Sequence, residues 1–106
     1  MRRDIFHAIA DPTRRTILTL LTLQAMTPNA LAEHFAISRQ AISKHVQILL
    51  ECELIKPEYQ GREIYYSLEA NKMKEIDQWL NQFRSLWKTK FKQLDTLLHT
   101  LQKQTT

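Results

Sequence analysis

The segment from Thr27 to Leu50 constrains this chain more than any other, because its side chains sort onto opposite faces in a way that suits a pair of short helices. Ile42, Val46 and Leu49 recur at i, i+4 and i+7, which places them on one stripe, with Ala41 and His45 at its edge. Gln40, Ser43, Lys44 and Gln47 recur at i, i+3, i+4 and i+7 on the opposite face, and each can hydrogen-bond a base edge or a phosphate. Ser38 stands where an N-cap belongs, so Arg39 falls in the first turn, where a groove-reading helix meets base edges. The pattern predicts a helix-turn-helix over residues 27–50 that enters the major groove. An ordinary αα-hairpin with a solvated face shares the same polarity, so the segment alone leaves both readings open.

The next segment favours the first reading. Leu54-Ile55-Lys56-Pro57-Glu58-Tyr59 and Glu63-Ile64-Tyr65-Tyr66-Ser67-Leu68 are rich in β-branched and aromatic residues, and Gln60-Gly61-Arg62 separates them. Gly61, the chain's single glycine, sits where a tight turn needs positive φ. Pro57 lacks a ladder donor, so its strand is expected at an edge or to end early. A helix-turn-helix followed by a hairpin over residues 54–68 is a winged helix, with Arg62 and Lys56 as wing contacts to DNA.

These residues resemble the ArsR/SmtB family of bacterial winged-helix repressors. The resemblance rests on Ala10-Asp11-Pro12-Thr13-Arg14-Arg15-Thr16-Ile17-Leu18, on Ala41-Ile42-Ser43-Lys44-His45-Val46, and on Gly61-Arg62 followed by Tyr65-Tyr66-Ser67-Leu68. It spans most of the first 70 residues, and the Trp-bearing C-terminal helix further resembles the family's metal-independent branch. It implies a homodimer that represses by occluding a promoter, often its own. Two positions depart from the pattern. Glu53 replaces the usual glycine after the recognition helix, so either Glu53 adopts positive φ or the helix ends differently, and Ala36 stands where the inter-helix turn commonly has glycine.

The charge is locally arranged. The net charge is +4, yet basic and acidic residues balance from Met1 to Glu69. No acid lies between His34 and Leu50, while Arg39 and Lys44 do, which makes the expected groove face positive. One cysteine excludes an internal disulfide. Ile5 to Ala10 is too short for a signal peptide, and no run of about 18 apolar residues could span a membrane. A reducing bacterial-type cytoplasm and no membrane partner are the expectation.

The ends of the chain supply the assembly. Asp4 to Ala10 reads as a short helix with Ile5, Phe6 and Ile9 on one side; Asp11-Pro12 and Thr27-Pro28 each start another. Ile17, Leu18, Leu20 and Leu21 supply the core face of the second. From residue 71 to 103 a long helix is expected: Met73, Ile76, Leu80, Phe83, Trp87, Phe91, Leu94, Leu98 and Leu101 recur at threes and fours. The successive fours from Phe83 to Trp87 to Phe91 form a stutter that should locally unwind a supercoil. Trp79, Leu86 and Leu97 widen the apolar face beyond what a chain of 106 residues easily covers alone. The predicted architecture is therefore a single domain over residues 1–106, mainly α with a small β-hairpin. It comprises about five helices plus a two-stranded wing, dimerising through the first and last helices. Ile5, Phe6, Ile9, Trp79, Phe83, Trp87, Phe91, Leu94 and Leu98 are the expected dimer contacts, and a two-fold pair implies an inverted-repeat operator. Arg84, Lys88, Lys90, Lys92 and Lys103 make the last helix basic; such a run is ordinarily a solvated face.

Neither a cofactor nor catalysis is expected. A thiolate metal site needs two or more cysteines, and the helix before the recognition helix carries Leu31-Ala32-Glu33-His34-Phe35 instead. Cys52 reads as a small buried hydrophobe, and Asp95 with His99 could form only half of an oxygen/nitrogen site. His7, His34 and His45 read as packing or hydrogen-bonding residues, His45 with the added option of a phosphate contact. There is no phosphate loop, paired-carboxylate site or nucleophile with a base, and Ser43 and His45 point to different sides of one helix. Two classes remain: a DNA-binding regulator using Ser38, Arg39, Gln40, Ser43, Lys44 and Gln47 on double-stranded DNA, and a winged-helix module that docks a partner protein. No residue pattern specifies an effector.

Overall fold

The computed structural model describes residues 4–104. In chain order these form α1 (Ile5–Ile9), α2 (Pro12–Leu23), α3 (Pro28–Ala32), α4 (Arg39–Glu51), β1 (Ile55–Gln60), β2 (Glu63–Leu68) and α5 (Ala70–Gln104). The fold is mainly helical with one antiparallel hairpin, the winged helix-turn-helix expected from the residues.

Each of the first four helices starts at a side-chain cap. Asp4 accepts from the His7 N–H, Asp11 from Arg14, Thr27 from Ala30 and Ser38 from Ala41, all three residues on and at 2.9–3.1 Å. Each cap satisfies an N–H that has no partner inside its own helix. Pro12 and Pro28 occupy first-turn positions where no N–H is needed. The turn from α3 to α4 proceeds without positive φ at Ala36, so glycine is not required there.

The end of α4 resolves the two alternatives for Glu53. Its φ is +60°, its N–H donates to the Leu50 carbonyl at 3.0 Å, and the Leu54 N–H donates to the Leu49 carbonyl at 3.1 Å. That pair of bonds is a Schellman motif, with Glu53 in the left-handed position usually given to glycine. Leu49 and Leu54, the positions whose apolar side chains accompany the motif, are both fully buried.

The core of the unit that ends at Met73 is built from Ile17, Leu18 and Leu21 of α2, Leu31 of α3, Ile42, Val46 and Leu49 of α4, and Leu54 and Ile55 at the entry to the wing. Leu20 is half-buried. In α1 the buried pair is Ile5 and Ala8, while Ile9 is half-buried and Phe6 exposed. Ile5, Phe6 and Ile9 therefore do not share one side: successive helical residues are about 100° apart, which turns Phe6 away from Ile5. Ile5, expected at a dimer seam, is 6% exposed and belongs to the protomer's own core.

The hairpin pairs Ile55 with Leu68 through Gln60 with Glu63, leaving Gly61 and Arg62 as a two-residue turn. Gly61 has φ +64° and Arg62 is not in the positive region, the pattern of a type II′ turn. Met26, in the connection between α2 and α3, bridges to Tyr66 on the outer side of β2, a third strand one residue long. No sequence periodicity announces a bridge that short.

From Lys74 onward α5 forms a second unit. None of its residues is buried. Trp79 and Phe83 have centroids 4.8 Å apart with planes tilted by 58°, and Phe83 and Trp87 centroids 6.2 Å apart with planes tilted by 38°, so three aromatic rings run as one ridge along the helix. Arg84 pairs with Asp77 at 2.8 Å, which removes one cation from the basic run. No described helix is long and apolar enough to cross a membrane.

Candidate nucleic-acid interface

The geometry of α4 follows from its two faces. Ile42, Val46 and Leu49 are at most 3% exposed and seat the helix, while Ser38, Arg39, Gln40, Ser43, Lys44 and Gln47 are all exposed. Arg39, Gln40, Ser43, Lys44 and Gln47 make no side-chain hydrogen bond among the described residues, so their donors and acceptors are available. The Ser38 hydroxyl oxygen is engaged in capping by the Ala41 N–H, which leaves its O–H to donate outward. The six residues expected on the reading face are brought together.

The wing residues are more dispersed. Arg62 lies in the exposed turn, whereas Lys56 sits four residues before the end of β1 at Gln60, about 14 Å from that end at the rise of an extended strand. Glu58 and Glu63 share the hairpin with them, so the wing is charge-balanced and the positive field belongs to α4. The Tyr65 hydroxyl donates to Glu63 Oε2 at 3.1 Å, and that hydrogen bond and the carboxylate's charge raise the phenol above its ordinary 10.0. Burial raises Tyr66 in the same direction.

Behind α4 lies a polar cluster that periodicity could not reveal. Arg14 of α2 is 8% exposed, and its guanidinium donates from Nε to the Ala8 carbonyl at 2.8 Å and from Nη2 to the His7 carbonyl at 3.1 Å. Its Nη1 lies 3.4 Å from Nδ1 of His45. Asp11 Oδ2, which accepts the Arg14 backbone N–H, is 3.8 Å from the same imidazole nitrogen. That backbone hydrogen bond lowers the Asp11 carboxyl below its ordinary 3.8, with the charges of His45 and Arg14 acting in the same direction and partial burial opposing them. His45 thus turns Nδ1 inward. Arg14 sits inside the Asp-Pro-Thr-Arg-Arg run, and only its position one turn after an N-cap hinted at a structural task.

Among the described residues no three His, Cys, Asp or Glu side chains converge as a metal site. The Cys52 thiol is buried and donates to the Asp4 carbonyl at 3.3 Å.

Similar proteins agree with this geometry. Residues 9–58 match the helix-turn-helix domain family. The chain is 44% identical to the transcriptional repressor SdpR of Bacillus subtilis over 80 residues, covering 76% of this chain and 89% of that protein. It is 39% identical over 62 residues to the transcriptional regulator CmtR of Mycobacterium tuberculosis, covering 58% of this chain but only 52% of the relative. The structure of an ArsR-like transcriptional regulator from Rhodococcus superposes with a TM-score of 0.71 at 29% identity, over 91% of this chain and 88% of that one. With a seated recognition helix, a hairpin wing and a repressor matched along most of its length, the chain belongs to the ArsR/SmtB family of winged-helix transcriptional repressors and is a DNA-binding transcriptional regulator.

Proposed function

We propose that the protein is a cytoplasmic, homodimeric repressor that binds an inverted-repeat operator without a metal cofactor. Ser38, Arg39, Gln40, Ser43, Lys44 and Gln47 contact the major groove and its flanking phosphates, while Arg62 and Lys56 contact DNA from the wing. The observation that carries this reading is the division of α4 into an inward stripe of Ile42, Val46 and Leu49 and an outward face that, from Ser38 to Gln47, carries free donors and no acid. Two such faces related by a two-fold axis would enter successive major grooves about 34 Å apart.

Pairing through α1 and α5 is supported by what α5 leaves uncovered. Trp79, Trp87, Phe91, Leu94 and Leu98 are 44–64% exposed. A lone helix of this kind is marginal in water unless its apolar face packs on something. On α1, Phe6 is exposed as well. CmtR, described as a cadmium metal-sensor, shows that metal response occurs among the relatives; this chain has a single cysteine, too few for a thiolate site within one protomer.

The test is a fluorescence-polarisation titration of the purified protein with DNA from upstream of its own coding region. Specific binding should weaken by roughly 10³-fold or more between about 50 and 200 mM salt, as expected when a dimer neutralises several phosphates. Arg39→Ala and Lys44→Ala should each cost about 1–3 kcal/mol of operator affinity while the dimer persists. Wild-type affinity in both variants would refute the site assignment.

A further inference from the structure

Apolar packing tells α4 which face to bury but only loosely fixes its rotation and slide, because such contacts are not directional. A directed polar contact can do so. Arg14 is the buried charged side chain of the described core, and its guanidinium holds carbonyls of α1 with two nitrogens while the third faces His45 on α4. His45 lies next to Lys44 and two residues from both Ser43 and Gln47, so turning the imidazole turns the reading face with it.

We propose that Arg14 and His45 form a positioning bracket that sets the pose of the recognition helix and ties it to α1. The inference rests on the DNA-reading role of α4 given above. A guanidinium can only donate, so a hydrogen bond from Arg14 takes the Nδ1 lone pair and leaves the imidazole proton on Nε2, whereas a proton on Nδ1 would face the Asp11 carboxylate 3.8 Å away; the bracket requires the first tautomer. Asp11 holds the other end of Arg14: its carboxylate accepts the Arg14 N–H and starts α2, while its 3.8 Å separation from Nδ1 is beyond hydrogen-bonding distance. Displacement of α1 at an assembly interface would therefore reach the Lys44 side chain through two hydrogen-bonded residues. Neither Arg14 nor His45 needs to touch DNA for this.

The experiment uses the full chain and its upstream DNA. His45→Leu keeps the bulk and removes the acceptor; His45→Gln restores an acceptor; Arg14→Lys keeps the charge and loses the fork. His45→Leu should lower operator affinity about tenfold with dimer mass unchanged, and His45→Gln should recover most of it. The double variant Arg14→Lys/His45→Leu should bind about as well as Arg14→Lys alone, because one contact cannot be lost twice. Long-range ¹H–¹⁵N spectra of the unbound wild type should show His45 Nδ1 unprotonated and Nε2 protonated, and Arg14→Lys should change that pattern.

Undiminished binding by His45→Leu would overturn the bracket, as would penalties that simply add in the double variant, the signature of an independent phosphate contact by His45. A wild-type chain that shows no salt-sensitive binding to its upstream DNA would overturn the DNA-reading role and the bracket together. The two failures are thus distinguishable.

Discussion

Pro57 faces Tyr66 across the wing at a position where the ladder asks no hydrogen bond of it. The Tyr66 N–H donates to the Met26 carbonyl at 2.8 Å, and its carbonyl accepts from the Met26 N–H at 3.0 Å. In an antiparallel strand both backbone groups of a residue point to the same side, so Tyr66 turns both away from β1. Pro57 therefore loses nothing by lacking a donor, and β1 continues past it to Gln60 on the edge of the sheet.

Moving the proline by one residue should reverse that. Glu58 lies opposite Tyr65 at a hydrogen-bonded position, so Glu58→Pro removes a ladder bond and should destabilise the wing by about 1–3 kcal/mol. Thermal unfolding and amide exchange at Tyr65 measure it. A melting midpoint equal to wild type would contradict the register.

Glu53 carries a second stored cost. A non-glycine residue at φ +60° is strained by roughly 1–2 kcal/mol, and glycine there gives back part of that through its larger unfolded-state freedom. The Glu53–Lys72 pair at 3.4 Å is largely exposed on the glutamate side and contributes little. Glu53→Gly should raise stability by about 0.5–1 kcal/mol in a denaturant titration. A loss of stability would mean that the side chain matters more than its backbone.

How much of this was legible depends on whether the signal was local. The caps at Asp11, Thr27 and Ser38, the stripe of Ile42, Val46 and Leu49, and the turn at Gly61 each rest on residues a few positions apart, and pattern suffices for such features. The recognition face was readable for the same reason. Arg14 was not, because its partners Ala8, His7 and His45 come from two other helices and charged residues are ordinarily placed outside. Arg84 was counted with the basic run because Asp77 precedes it by two turns. The bridge from Met26 to Tyr66 is a tertiary event joining residues 40 apart by number.

Acid should weaken the fold in part through Asp11. Its carboxyl is held below the ordinary 3.8 in the folded chain, chiefly by the Arg14 backbone N–H. The stability it contributes is therefore fully present above 3.8 and is lost as pH falls through the lower folded value. Asp11→Asn keeps a capping acceptor but cannot titrate, so its melting temperature should fall less steeply between about pH 5 and pH 2 than that of wild type. Parallel curves for the two proteins would remove Asp11 from the account.

The aromatic ridge of α5 offers the sharpest test of assembly. Trp79, Phe83 and Trp87 already pack against one another as tilted neighbours along the helix, so less side-chain freedom remains to be lost when a second copy covers them. Trp87→Glu would replace an apolar ring in the middle of that seam by a charge that has to be desolvated, and should weaken self-association by about 100-fold or more, near 3 kcal/mol. Because Trp87 is half exposed in the single chain, the substitution should leave the winged-helix unit folded. Sedimentation velocity at micromolar protein should then show a dimer for wild type and a monomer for the variant, with circular dichroism showing α4 intact. Operator affinity should fall with it, because one recognition helix retains its own contacts but loses the tethered second half-site. A variant that sediments as a dimer would move the two-fold interface away from this face of α5.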